Sequence, residues 1–187
     1  MNPGSRQVSA AYDLVVIGAG MAGIAAANKA AADGWRAAIV DELPYGGTCA
    51  LRGCDPKKIL RRGAEIVDAA QLMKGKGIDP AGLTINWGDL MEHKRGFTDP
   101  VPANVERELA ANGVDTLHGS AAFRSPNTLD VDGANFESAH FLIATGARPR
   151  PLGFPGAEHL VDSTGFLHLD ALPERIAFAL FADVRDR

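Results

Sequence analysis

The sequence predicts an α/β fold with a doubly wound, mostly parallel sheet, and three observations support this class. The apolar run at 12–17 is typical of a central parallel strand that is buried on both faces. A stretch of small residues follows it and predicts a helix, and a second apolar run lies at 36–41. Strands that alternate with helices in this way indicate a parallel sheet with crossover helices.

The other elements follow in chain order. The first helix should end near Asp33, because Gly34 stops it. A helix that follows two cysteines should run to about Met73. Further along we expect a Gly- and Pro-rich connection, a long polar helical stretch and three short strands, at 75–82, 87–112, 114–123, 127–131 and 136–143. With a turn at Asp132-Gly133, these strands predict a small antiparallel excursion and a return strand.

Length and composition exclude some classes of protein. The chain has 187 residues, of which 46% are hydrophobic and 22% charged, which suits one soluble domain or one plus part of another. A net charge of −4 argues against nucleic acid or an anionic membrane as the main partner. Residues 1–10 are expected to be a disordered leader. The apolar run at 14–27 is too short to span a bilayer and is broken by glycines, so a cytoplasmic location is predicted over a signal peptide.

Three glycines match a dinucleotide-binding fingerprint. Gly18, Gly20 and Gly23 form G-x-G-x-x-G directly after the first strand, where the first helix opens. In a Rossmann-like fold these glycines permit a tight turn, close approach of a pyrophosphate and helix–strand packing. The helix N-terminus then binds the phosphates. The alternative is a glycine-rich turn that binds no nucleotide.

An acidic residue follows the second strand. Asp41 lies roughly twenty residues beyond the glycines, where a carboxylate binds ribose hydroxyls, and Glu42 is the neighbouring alternative. Because an acid here disfavours a ribose phosphate, FAD or NAD is expected rather than NADP.

The two cysteines of the chain, Cys49 and Cys54, form a close pair. Such a pair in a non-secretory chain is more often redox-active or metal-binding than structural. Positions five apart in one helix rise about 7.5 Å, whereas a disulfide needs Cα atoms within roughly 7 Å. The pair should therefore lie where a loop becomes a helix, with Asp55 as N-cap and Pro56 as first helical residue.

The position of Cys54 beside a helix N-terminus favours a thiolate. Two other interpretations of the pair remain. The cysteines could be buried and inert, and a zinc site would lack both a C-x-x-C motif and paired histidines. The helix that follows should bury one apolar face, formed by Ile59, Gly63, Ile66, Val67 and Ala70.

Taken together, the motifs resemble the N-terminal part of the FAD-dependent pyridine nucleotide–disulfide oxidoreductases, a family that includes glutathione reductase, dihydrolipoamide dehydrogenase and mercuric reductase. The likeness covers nearly the whole chain, and Gly-Gly-Thr-Cys-x4-Cys is its most specific element. The residues that carry it are Gly18, Gly20, Gly23, Asp41, the segment 46–54 and Ala144-Thr145-Gly146.

The resemblance implies a redox role for both cysteines. Cys49 would be the interchange thiol that attacks the substrate, and Cys54 would lie against the flavin as its thiolate partner. Electrons would pass from NAD(P)H to FAD, then to the Cys49–Cys54 disulfide and to a small-molecule disulfide or thiol substrate. Implied FAD contacts are Thr48, Cys49, one of Lys57 and Lys58, Ala121, Thr145 and Gly146. Arg52 and Asp55 depart from the family pattern, so the substrate itself is not predicted.

The resemblance also divides the chain. It implies an FAD-binding domain at 11–150, and residues 151–187 would be the truncated start of an NAD(P)-binding domain. A second G-x-G-x-x-G should follow 172–178 but does not, so the NAD(P)H site is expected to be absent, and less than half of a typical family chain is present. We therefore expect weak FAD binding and no sustained turnover by the chain alone.

Three functions remain from the sequence. One is an FAD-binding half that needs a complementing chain or a homodimer. Another is a truncated, non-catalytic remnant that binds flavin or a partner. An NAD-binding domain with incidental cysteines would explain the glycines but not the Gly-Gly-Thr-Cys spacing.

Overall fold

The computed structural model describes residues 8–179 and is built around one six-stranded sheet. Its strands are β1 (Val8–Ile17), β2 (Ala37–Asp41), β3 (Asp115–His118), β4 (Ala121–Ser125), β5 (Thr128–Val131) and β6 (Ala134–Ile143). Their order in the sheet is β3-β2-β1-β6-β5-β4. The first four are parallel, while β5 and β4 continue the sheet antiparallel. The predicted α/β class, with a mostly parallel sheet and a small antiparallel part, is confirmed.

Six α-helices connect or flank the strands in the described part of the chain. They are α1 (Met21–Ala32), α2 (Gly47–Arg52), α3 (Cys54–Leu72), α4 (Trp87–Thr98), α5 (Val101–Ala111) and α6 (Ser163–Phe166), with a 3₁₀ turn at Ala157–His159. No helix within residues 8–179 is both long enough and apolar enough to cross a membrane.

The two faces of the parallel sheet are covered by different elements. Successive strand residues point to opposite faces. Val16 therefore packs with Ala27 of α1 and Leu109 of α5, whereas Val15 packs with Leu129 and its neighbours on β5. Helices thus cover one face and the antiparallel strands the other. The continuous apolar run of β1 follows from this burial on both faces.

Several element boundaries differ from those predicted. β1 begins at Val8, so residues 8–10 belong to a strand and not to a leader; residues 1–7 and 180–187 lie outside the described part. The helical stretch at 87–112 is two helices, since Pro100 lacks the N–H that a continuous helix requires. The strand expected at 114–123 is also two, separated by a break at Gly119-Ser120.

The turn at Asp132-Gly133 is confirmed. Asp132 has φ 46° and Gly133 has φ 94°, the pair of positive values that characterises the tightest hairpin turns. It connects β5 to β6 and so reverses the chain into the strand that pairs with β1.

The buried face of α3 is centred elsewhere than predicted. Leu60 is its buried apolar side chain and packs with Met91 of α4, whereas Ile66 is 55% exposed. Gly63 is on the packed side, because a Cβ there would lie 3.0 Å from a methyl of Leu90. The helix contacts α4 closely at Gly63 and turns Ile66 into an open cleft between the two helices.

Candidate dinucleotide and dithiol site

The fingerprint glycines form a turn with no room for side chains. Gly18 has φ 109°, and a Cβ on it would lie 2.4 Å from the carbonyl oxygen of Ala144, at the end of β6. A Cβ on Gly23 would lie 1.9 Å from the Gly18 carbonyl oxygen. Gly20 is the N-cap of α1, which has neither a side-chain cap nor an acidic residue in its first turn. The N–H groups at this helix end are therefore left for an anion.

A second glycine turn packs directly on the first. The Gly46 N–H donates to the Ala19 carbonyl at 2.9 Å. A Cβ on Gly47 would lie 2.5 Å from the Cα of Gly20, so the two backbones touch. Because Gly47 opens the helix that carries Cys49, this contact fixes the start of the cysteine segment against the fingerprint turn.

Asp41 is bound to the fingerprint turn through its carboxylate. Its Oδ2 accepts from the Ala19 N–H at 2.7 Å, and its Oδ1 accepts from the Leu43 N–H at 2.9 Å. A carboxylate has about four acceptor sites, so capacity remains for ribose hydroxyls. Glu42 instead forms an exposed ion pair with Arg148. Of the two acids proposed from the sequence, Asp41 is the one in contact with the turn.

The remaining predicted FAD contacts lie near the same edge of the sheet. A Cβ on Gly18 would lie 3.0 Å from the Thr145 nitrogen, so Thr145 and the following Gly146 are beside the fingerprint. The Gly119 N–H donates to the Asp41 carbonyl at 3.1 Å, and the chain continues from there to Ala121 at the start of β4. This edge is formed by the carboxyl ends of parallel strands, where doubly wound folds bind ligands.

Tyr45 joins this edge together and was not identified from the sequence. Its side chain is fully buried, and its hydroxyl lies 2.9 Å from the Ile39 carbonyl and 2.7 Å from the Leu117 carbonyl. The hydroxyl also accepts from the Leu117 N–H, and the ring packs on His118 at 4.7 Å. Burial raises the pKa of Tyr45 above its ordinary value. Tyr45 directly precedes Gly46, and its side chain therefore ties the second glycine turn to β2 and β3.

The cysteines occupy two helices that meet at one glycine. Cys49 lies within α2 and Cys54 is the first residue of α3. The pair is therefore not inside one helix, as predicted, but the expected junction of a loop with a helix is wrong, because the junction joins two helices. The predicted cap was wrong, because Gly53 is the N-cap and Asp55 and Pro56 lie in the first turn. A Cβ on Gly53 would lie 2.8 Å from the Thr48 carbonyl oxygen, so only glycine fits where the two helices join.

Both cysteines are free, half-buried thiols. A side-chain hydrogen bond with Cys54, followed by burial and the negative charge of Asp55, raises the pKa of the Cys49 thiol. Within residues 8–179, no group of three or more His, Cys, Asp or Glu side chains is placed to hold a metal ion.

The two lysines that the sequence left as alternatives have different surroundings. Both are exposed on the first turns of α3. Lys58 lines a cleft of about 340 Å³ together with Ala50 and Asp55, next to the cysteine segment. It also lines a neighbouring cleft of about 420 Å³ between α3 and α4, and Lys57 lines neither.

The chain is similar to known proteins over most of its length. The family model described as pyridine nucleotide-disulphide oxidoreductase matches residues 12–179. The chain is 34% identical to a dihydrolipoyl dehydrogenase of Mycoplasma pneumoniae over 172 residues, covering 88% of this chain and 38% of that protein. It is 34% identical to a glutathione reductase of Schizosaccharomyces pombe over 179 residues, covering 91% and 39%. The chain thus spans less than two fifths of these relatives, and it belongs to the pyridine nucleotide-disulphide oxidoreductase family.

Proposed function

We propose that this chain is the FAD-binding, redox-active-disulfide portion of a flavoprotein disulfide oxidoreductase. The observation that carries the proposal is the contact between the two glycine turns, Gly47 against Gly20. It places the segment with both cysteines next to the helix end that would bind a pyrophosphate. A dinucleotide on that helix end could then extend towards the thiols.

The residues present fit an adenine dinucleotide. The uncapped start of α1 offers N–H donors, and the position of a Cβ on Gly20 meets only the Cα of Gly47, at 3.8 Å. The Asp41 carboxylate keeps acceptor sites for ribose hydroxyls and would repel a ribose phosphate. These features support FAD over a phosphorylated nicotinamide nucleotide at this turn.

The two thiols suit exchange with a small-molecule disulfide. The Cys49 thiolate would attack one sulphur of the substrate, form a mixed disulfide and release the first thiol product. Cys54 would then attack the Cys49 sulphur, which forms the Cys49–Cys54 disulfide and releases the second thiol. Reduced FAD, if bound at the Gly18 turn, would supply the two electrons that reduce this disulfide again, and NAD(P)H would be the reductant of FAD.

A second candidate is a non-catalytic module that binds flavin or a partner. Exposed apolar side chains occur at the end of β6 and beyond it, with Ile143 66% exposed, Val161 63% and Phe178 87%. Exposed apolar surface is typical of interaction sites, and a complementing chain or a second copy of this chain would cover these residues. The proposed cytoplasmic location, where thiols are kept reduced, suits either candidate.

The decisive experiment combines FAD titration with thiol counting on the purified chain. We expect a yellow protein with FAD bound and a long-wavelength absorbance band after two-electron reduction. Two thiols should be counted after reduction and none after oxidation. Cys54→Ser should lose the band, whereas Cys49→Ser should keep it. Failure to bind FAD would overturn the proposal. Bound FAD with two thiols that persist under oxidation would favour the non-catalytic module.

A further inference from the structure

An ion pair connects the two sides of the fingerprint turn. Arg148 Nη2 donates to Glu42 Oε1, and the two side chains are 79% and 44% exposed. Glu42 follows β2 and Arg148 lies in the segment after β6, and these two strands flank β1 in the sheet. The pair therefore spans the edge where β1 ends and the Gly18 turn begins.

The charges at this edge are unfavourable for a dinucleotide without a cation. A pyrophosphate carries two negative charges, and Asp41 places a carboxylate on the same turn through its bond to Ala19. The first turn of α1 adds only backbone N–H groups. A guanidinium beside the turn would offset this repulsion, since its planar donors can bind two phosphate oxygens together.

Arg148 is close along the chain to a residue that borders the turn. It follows Thr145 by three residues, and a Cβ on Gly18 would lie 3.0 Å from the Thr145 nitrogen. Its bond to Glu42 is solvent-exposed, and ion pairs of this kind contribute little to stability. An exchange of Glu42 for a phosphate therefore has a low cost.

We propose that Arg148 is a dinucleotide-binding residue that leaves Glu42 for the pyrophosphate, and that Glu42 competes with the nucleotide for it. This inference rests on the proposed function, because it requires a dinucleotide at the Gly18 turn. It assigns opposite effects to the two partners of one ion pair: Arg148 raises nucleotide affinity and Glu42 lowers it.

The test measures the dissociation constant for FAD by flavin fluorescence, using the whole chain. Arg148→Gln should weaken FAD binding about tenfold, which corresponds to the loss of one charge-assisted contact. Glu42→Gln should tighten FAD binding about threefold, because it removes the competitor for Arg148. In the Arg148→Gln background, Glu42→Gln should have no effect, because the competitor then has nothing to compete for.

A remote ion pair provides the matched control. Lys29 and Asp33 form an exposed pair on the last turn of α1, so Lys29→Gln and Asp33→Asn change the net charge in the same directions. Neither should change FAD affinity. Thermal melting of each variant verifies the fold. Equal weakening by Arg148→Gln and Lys29→Gln, or weakening by Glu42→Gln, would overturn the inference while leaving FAD binding intact. A wild-type chain that binds no FAD would overturn both the inference and the proposed function.

Discussion

The ammonium group of Lys94 donates to the carbonyl oxygen of Leu167 at 3.0 Å, although Lys94 is only 2% exposed. A second side chain of α4 makes a similar bond, from Trp87 Nε1 to the Leu169 carbonyl at 2.8 Å. Segment 163–170, hereafter the strap, is thus bound through its backbone to α4, and both bonds join residues more than seventy positions apart.

The strap also contacts the cysteine-bearing helix. Leu167 is 5% exposed and packs with Leu60 of α3 and Met91 of α4. The helix that begins at Cys54 is therefore fixed twice, at its start by the glycine turns and further along by the strap. Loss of the strap contacts should loosen α3 without altering the sheet.

Replacement of Lys94 by methionine should destabilise the protein. Methionine keeps the apolar stem but leaves the Leu167 carbonyl without its donor, which costs about 1–3 kcal/mol of the free energy of unfolding. Urea unfolding followed by circular dichroism measures this change. The exposed Lys76 is the control, and Lys76→Met should leave the midpoint unchanged. Equal midpoints for the two variants would show that the buried bond contributes nothing.

Lys94 should also give stability a characteristic pH dependence. Burial, and then the positive charge of Arg95, lowers the pKa of Lys94 from 10.5. Between the lowered pKa and about 10.5 the unfolded chain holds more protons than the folded chain, so the contribution of Lys94 to the free energy of unfolding rises with pH. The Lys94→Met variant should lack this rise. Unfolding measured from pH 7 to 10 tests it, and parallel curves for the two proteins would contradict it.

Removal of the Tyr45 hydroxyl should destabilise the edge of the sheet where the parallel strands have their carboxyl ends. Tyr45→Phe loses the contacts with Ile39 and Leu117 and should cost about 1–3 kcal/mol of the free energy of unfolding. Because Tyr45 precedes Gly46, FAD affinity should fall as well. The control is Tyr12→Phe, which loses a bond to Asp115 at the opposite edge of the sheet. It should lower stability without changing FAD affinity, and equal loss of affinity in both variants would refute the positional argument.

The two tyrosines should further differ in alkali. Burial, the bond to Asp115 and its charge raise the pKa of Tyr12 to about 12, and burial raises that of Tyr45. Each stabilising contribution is complete below the ordinary tyrosine pKa of about 10 and is lost as pH rises above it. Either phenylalanine variant should therefore lose less stability than the wild type between pH 10 and 12, as urea unfolding at each pH would measure. A loss as large as that of the wild type would contradict the raised pKa values.

The features that the sequence predicted correctly depend on local chemistry. Gly18 and Gly34 mark turns because each has a positive φ that glycine adopts without steric cost, and Asp132-Gly133 is a hairpin signal in itself.

Two helix boundaries were not predicted, although local signals for them exist. Pro100 is a signal for the helix break, but the continuous polar pattern around it obscures the break. Gly53 became the cap in place of Asp55 because the preceding helix leaves no space for a side chain at the junction.

The features that the sequence did not predict depend on distant contacts. The hydroxyl of Tyr45 bonds to a residue 72 positions away, and Lys94 bonds to one 73 positions away. No periodicity or motif relates such residues, since their proximity arises only when the strands have paired. The contact between Gly47 and Gly20 is of the same kind, although both glycines belong to recognised motifs.

Substitution of Gly20 separates cofactor binding from folding. Gly20 has φ −90°, which alanine adopts freely, and the added methyl would meet only Gly47 at an ordinary 3.8 Å. Loss of the N-cap glycine should cost about 1 kcal/mol or less. The methyl would occupy the place where a pyrophosphate approaches, so FAD should bind at least about tenfold more weakly.

Two further glycines bracket this result. Gly96 lies on α4 with open space around it, so Gly96→Ala should retain both stability and FAD affinity. Gly47 has φ 66°, and a methyl there would lie 2.5 Å from the Gly20 backbone, so Gly47→Ala should lower the melting temperature as well as FAD affinity. Melting curves and FAD titrations on all three variants test the scheme. The protein itself has room for a methyl at Gly20, so only a bound pyrophosphate would clash with it. If Gly20→Ala binds FAD as tightly as Gly96→Ala does, the pyrophosphate therefore does not approach the fingerprint turn at Gly20.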